Sequence, residues 1–160
     1  MDNITIHRAT KNDSTIILQF IKELAAYEKA PNAVKASIED IEKSIFGDSS
    51  TVRALICSTA GKPIGFAVYF FNYSTWLGKN GLYLEDLYIT PQSRGKGAGE
   101  TLLRHLAKIA VEKGCGRFEW SVLDWNIPAI KFYKSLGAQP QNEWIPYRLD
   151  GEALTSFARG

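Results

Sequence analysis

The chain has 160 residues, 45% of them hydrophobic and 22% charged, which is enough to bury the core of one compact domain. A formal net charge of +2 provides no strongly basic face for a nucleic acid or a membrane surface, and neither partner is expected. Cys57 and Cys115 supply no disulfide framework and no C-x-x-C site, and with His7 and His105 far apart no metal centre is expected. The opening MDNITIHRAT lacks a basic region followed by an apolar run, and no stretch reaches the roughly 18 apolar residues of a membrane span. A cytoplasmic protein is the resulting expectation.

Taken in chain order, residues 4–8 read as a short strand. Ile16, Ile17, Phe20, Ile21 and Leu24 mark one face of a helix that Asp13 is placed to N-cap and Pro31 to end. Ser37-Ile38-Glu39-Asp40 looks like a capping box opening a second helix, with Ile38, Ile41 and Ile45 inward. Residues 52–58 and 64–73 are β-rich and joined through Ala60-Gly61-Lys62, so they predict a hairpin. Residues 74–81 read as a loop carrying an exposed Trp76. A buried strand over 82–89, a helix over 100–113, a strand over 117–122 and a helix over 128–136 stopped by Gly137 follow. A late strand over 145–149 and a helical tail over 151–158 complete the chain. This order predicts a single α/β domain spanning 1–160, with a mixed central β-sheet flanked by helices and a parallel strand pair around the long helix.

The run Arg94-Gly95-Lys96-Gly97-Ala98-Gly99 lies between a strand and a helix start, the arrangement of an anion site. Glycines let the backbone approach phosphate oxygens, and unpaired N–H groups at the helix N-terminus point at them. Gly97 follows Lys96, so this is no P-loop, and the spacing is not the G-x-G-x-x-G of a dinucleotide fold. The Arg-x-x-Gly-x-Gly pattern resembles the pyrophosphate loop of the GNAT superfamily of N-acetyltransferases. Three further stretches are similar to its diamine acetyltransferase subfamily: the Ile21–Glu28 segment IKELAAYE, the segment YLEDLY from Tyr83, and Asp124-Trp125-Asn126 followed by Phe132-Tyr133-Lys134 and Leu136-Gly137-Ala138. Within it, Tyr73-Ser74-Thr75-Trp76, Lys113-Gly114-Cys115 and Val122-Leu123-Asp124-Trp125-Asn126 look most like the thialysine N-epsilon-acetyltransferase branch.

The resemblance implies a GNAT-like domain that transfers an acetyl group from acetyl-CoA to the primary amine of a small molecule. It implies cofactor contacts at Leu87, Tyr88, Ile89, Arg94, Gly95, Lys96, Gly97, Ala98, Gly99, Glu100, Asn126, Ala129 and Tyr133. It also implies amine contacts at Tyr27, Glu28 and Glu85, and a homodimer. Trp76, Trp144 and Tyr27 are candidates for the apolar walls around an aliphatic chain. Ser74 stands where the polyamine-preferring branch has an acidic residue, which favours thialysine or a related lysine analogue over spermidine.

Such a reaction sets three demands. An alkyl ammonium with pKa about 10.4 costs about 4.6 kcal/mol to deprotonate at pH 7. Glu85 is the candidate base, acting directly or through water. Adjacent Asp86 complicates the choice, because alternation puts the two on opposite faces unless a bulge brings both round. The tetrahedral oxyanion needs N–H donors, which the resemblance assigns to the backbone of residues 87–89. Tyr133 is the candidate donor to the departing thiolate, by hydrogen bonding rather than full transfer, since a phenol to a thiolate is uphill by about 2 kcal/mol. A non-catalytic acyl-CoA sensor and a protein-amine acetyltransferase are the competing readings. The first would need the loop but neither Glu85 nor Tyr133, and the second an open groove.

Overall fold

The computed structural model describes residues 3–160, which form two compact units, one up to Ser121 and one from Val122. The first holds β1 (Ile4–Arg8), α1 (Ser14–Tyr27), α2 (Ile38–Phe46), β2 (Val52–Thr59), β3 (Lys62–Ser74), β4 (Lys79–Ile89), α3 (Ala98–Glu112) and β5 (Arg117–Trp120). The second holds α4 (Ile127–Ser135) and α5 (Gly151–Arg159). Strand order is β1-β2-β3-β4-β5. All neighbours are antiparallel except β4 and β5, the parallel pair that α3 connects. The mixed sheet flanked by helices is the one expected. Among the described residues no helix is long and apolar enough to cross a membrane.

Alternation divides the sheet's two faces. Ile17, Leu18 and Phe20 of α1 and Ile41 of α2 pack on Ala54, Ile56, Phe66, Val68 and Tyr88. The Phe20 ring lies 5.8 Å from both Phe66 and Tyr88. Leu102, Leu103, Leu106 and Ala110 give α3 its own buried stripe. Local chemistry sets the element ends. Ser37 and Asp40 form the expected capping box, with Asp40 N–H donating to Ser37 Oγ at 3.1 Å and Ser37 N–H to Asp40 Oδ2 at 2.9 Å. Lys29, in the left-handed region at φ 64°, turns the chain at the end of α1, so Ala30 N–H donates back to the Ala25 carbonyl at 2.8 Å. Ala60 and Gly61, both with positive φ, make the two-residue turn between β2 and β3.

Three local expectations are corrected. Asp13 stands at the N-cap position of α1 but gives it no side-chain cap: it ends a 3-10 turn, and its carboxylate faces back to accept the Thr10 N–H at 2.8 Å. The β3–β4 hairpin consumes half of the predicted 74–81 loop, leaving 75–78 as the turn. The pairs Asn72–Gly81, Tyr73–Asn80 and Ser74–Lys79 that extend it are mostly polar, so no apolar alternation marks them. The late strand over 145–149 has no regular structure. Pro146 has no N–H to give a ladder, and Ile145 and Tyr147 stand 75% and 95% exposed.

Candidate active site

Strand β4 carries the decisive irregularity. Val68 pairs with Asp86 and the next residue, Tyr69, with Leu84, so Glu85 is one residue too many on β4. The bulge inverts the alternation. Asp86 and Tyr88 share a face with their partners Val68 and Phe66, the face covered by α1 and α2. Glu85 is exposed at the bulge and Asp86 half-buried beneath it. Half-buried Glu28, just past the last turn of α1, completes a group of three carboxylates. Burial, then the charges of Glu85 and Glu28, push the Asp86 carboxyl up to about 6. Burial also raises Glu28. A group of this kind attracts a cation and offers a proton acceptor poised near neutral pH. Glu85 therefore sits at the bulge itself, with Asp86 next to it on the face covered by α1 and α2. The signal was present in the sequence: apolar residues fall at Leu82 and Leu84 and then at Leu87 and Ile89, a one-residue slip in phase.

β5 pairs only with residues 81–84, so beyond the bulge β4 has, among the described residues, no strand along its β5 side. Leu87, Tyr88 and Ile89 lie on that open edge, held from the other side by Ala67, Phe66 and Gly65. The edge is a place for backbone donors to meet a developing oxyanion. Gly65 is required for close approach, because a Cβ there would strike the Tyr88 carbonyl oxygen and the Ile89 side chain.

After β4, a 3-10 turn over Pro91–Ser93 leads into residues 94–97 and α3. Gly95 and Gly97 have φ of 76° and 84°, and a Cβ on either would meet nothing within 4 Å. Their conformation, rather than crowding, demands glycine there. Gly97 N-caps α3 without any side-chain hydrogen bond, so the first N–H groups of the helix stay available to an anion. Ala98 is buried, Gly99 sits within the first turn, and Glu100 holds Arg104 at 2.7 Å. Lys96 is exposed beside this opening. Arg94, also exposed, lays its guanidinium over the rings of Tyr27 and Tyr88, and its Nε–H donates to the Ile89 carbonyl at 2.9 Å.

At the opposite end of the hairpin, Trp76 is 87% exposed. Ser74 is buried, and its Oγ accepts the Leu77 N–H at 3.2 Å. Ser74 pairs with Lys79, seven residues before Asp86 on β4, hence about 20 Å along the strand from the bulge. Within this unit, neither Trp76 nor Ser74 joins the carboxylates.

In the second unit, Asn126 N-caps α4, its Oδ1 accepting the Ala129 N–H at 3.4 Å. Tyr133, half-buried, follows two turns later on the same helical face. Its ring lies 5.9 Å from that of Phe132. Trp144, outside any element, is 64% exposed.

The family model for the acetyltransferase (GNAT) family matches residues 18–138. The chain belongs to the GNAT family and is an acetyltransferase. Thialysine N-epsilon-acetyltransferase of Sus scrofa is 38% identical to it over 169 aligned positions, covering 99% of both chains. L-ornithine N5-acetyltransferase of Arabidopsis thaliana is 49% identical over 93 positions, 58% of this chain and 41% of that protein. Among solved structures, an integron cassette protein from the mobile metagenome of V. cholerae superposes with a TM-score of 0.83 at 31% identity, covering 98% of each chain. GNAT enzymes use acetyl-CoA as cosubstrate.

Proposed function

We propose that this enzyme acetylates the distal primary amine of a small α-amino acid, thialysine or a close lysine analogue, using acetyl-CoA. The observation that carries the reading is the half-buried Asp86 flanked by Glu85 and Glu28, a group built for an ammonium ion. Tyr27, next to Glu28 and under Arg94, joins that group to the loop fitted for phosphate. Two of the relatives described above act on amino acids with a terminal amine, thialysine and ornithine by name.

In this reading Glu28 and Glu85 attract the ammonium, and Tyr27 lines its alkyl chain, with Trp144 as a further aromatic candidate; Trp76, at the far end of the hairpin, is left out. A carboxylate of the bulge, Glu85 directly or through water, takes the proton. The freed nitrogen forms a bond to the thioester carbonyl carbon, and the oxyanion is met by N–H groups of the 87–89 edge. The nitrogen, now cationic, gives its second proton to water, collapse breaks the carbon–sulfur bond, and the thiolate leaves with a hydrogen bond from Tyr133. Residues 95–100, with the Lys96 charge, hold the pyrophosphate, while Asn126 and Ala129 line the pantetheine arm. The chain works as one acetyltransferase domain and as a cytoplasmic homodimer. Apolar exposure in the second unit, at Ile145, Tyr147 and Phe157, supports an assembly.

Carboxylates that recruit the ammonium also stabilise it, so binding and deprotonation oppose each other. Comparing kcat/KM for thialysine, ornithine and spermidine tests the substrate class. The two amino acids should exceed spermidine by several-fold or more. A preference for spermidine would overturn the amino-acid assignment.

A further inference from the structure

Arg94 opens the glycine-rich loop, yet its guanidinium carbon lies 4.8 Å from the centroid of the Tyr27 ring and 5.5 Å from that of Tyr88. Its Nε–H is committed to the carbonyl of Ile89, the last residue of β4. Three elements therefore meet on one side chain. Tyr27 is the last residue of α1 and adjoins Glu28. Tyr88 lies two residues beyond Asp86 on the same face of β4. The loop itself turns through the two left-handed glycines, with no neighbour within 4 Å of a Cβ at either. A planar cation against two ring faces is a favourable and directional contact, one that lysine does not reproduce. The Tyr88 phenol also interacts with Glu23 of α1.

We infer that Arg94 is a positioning residue, a clamp fastening the amine-binding end of α1 to the loop that receives the pyrophosphate. The inference rests on the proposed function for the ligands at the two ends. A loop ordered by CoA fixes Arg94, and Arg94 fixes Tyr27 and with it Glu28. Linkage makes the effect reciprocal: a bound amine tightens CoA, and CoA tightens the amine, by the same factor. The alternative is that Arg94 swings outward and serves as a phosphate ligand, in which case its charge matters and Tyr27 does not.

Calorimetric titration of CoA into the intact protein separates these roles without any amine. Tyr27 is 43% exposed, so its replacement leaves the core intact. Tyr27→Leu should weaken CoA binding about three- to tenfold, from loss of a partly desolvated cation–π contact. Tyr27→Phe, which keeps the ring, should bind CoA more tightly than Tyr27→Leu. Arg94→Lys should match Tyr27→Leu despite its retained charge, and the double variant should be no worse than either alone. Repeating the titration with saturating thialysine should tighten CoA in wild type and Tyr27→Phe, with the gain lost in Tyr27→Leu and Arg94→Lys. Lys96→Ala should weaken CoA yet keep that gain. Unchanged CoA affinity in Tyr27→Leu, or full rescue by Arg94→Lys, would make Arg94 a phosphate ligand and overturn the clamp. Absence of CoA binding by the wild type would instead remove the acetyltransferase site reading on which the clamp rests.

Discussion

Asp86 combines a structural cost with a chemical use. Its carboxyl titrates near 6, because burial first, and then the Glu85 and Glu28 charges, oppose its ionisation. Between pH 4 and 6 the folded chain holds this proton more tightly than the unfolded chain does. Stability is therefore greatest below that window, falls as pH rises through it, and stays lower above it, by up to about 3 kcal/mol for a two-unit shift. Asp86→Asn should abolish this fall and melt at a higher temperature than wild type at pH 7, with a lower acetylation rate. Thermal melts from pH 4 to 8 check it, and a variant less stable than wild type at pH 7 would show that the carboxylate is compensated in the fold. Glu85 was legible from its strand and motif, because a charged pair interrupts an otherwise apolar run. Which face Asp86 takes was not, because facing depends on one extra residue, and that residue shows only as the slip between Leu84 and Leu87.

The elements were largely readable wherever apolar periodicity or cap chemistry was strong. The α3 stripe and the Ser37–Asp40 box are examples. Readings failed where pairing is made by polar residues, as in the outer hairpin, or where a short β-like run contains proline, as at Pro146. The end of β4 depends on two glycines of different kinds. Gly65 gives β3 and β4 their close approach, and an alanine there meets backbone at Tyr88. Gly99 is helical, and its nearest outside neighbour is Ile89 Cγ1 at 4.0 Å. Gly65→Ala should thus cost about 1–3 kcal/mol of stability. Gly99→Ala should be neutral or stabilising by up to about 1 kcal/mol. Of the two, Gly99→Ala should still weaken CoA binding if the pyrophosphate lies on this loop as proposed, because the added methyl has only Ile89 Cγ1, at 4.0 Å, as an outside protein neighbour. Urea unfolding with CoA titration on both variants checks this. Equal stability losses would mean that the loop glycine is kept for packing.

On the scale of the whole molecule, the carboxylates, the open strand edge and the anion loop belong to the first unit, and Asn126 and Tyr133 to the second. The α/β order could be read from the sequence, and so could the chemistry of the loop, because strand, glycines and helix start are contiguous. The co-operation of Glu85 with Tyr133 was reached through family resemblance instead, since 48 positions of chain numbering separate them and no local pattern spans that distance. The central claim is that these residues carry out acetyl transfer to a terminal amine. Its most direct test is the stoichiometry of CoA thiol release against acetylated thialysine, followed in wild type, Glu85→Gln and Tyr133→Phe. One thiol should appear per acetylated distal amine, and each variant should be slower by roughly tenfold to a hundredfold at saturating substrates. CoA binding without amine-dependent thiol release, or wild-type rates in both variants, would contradict the account.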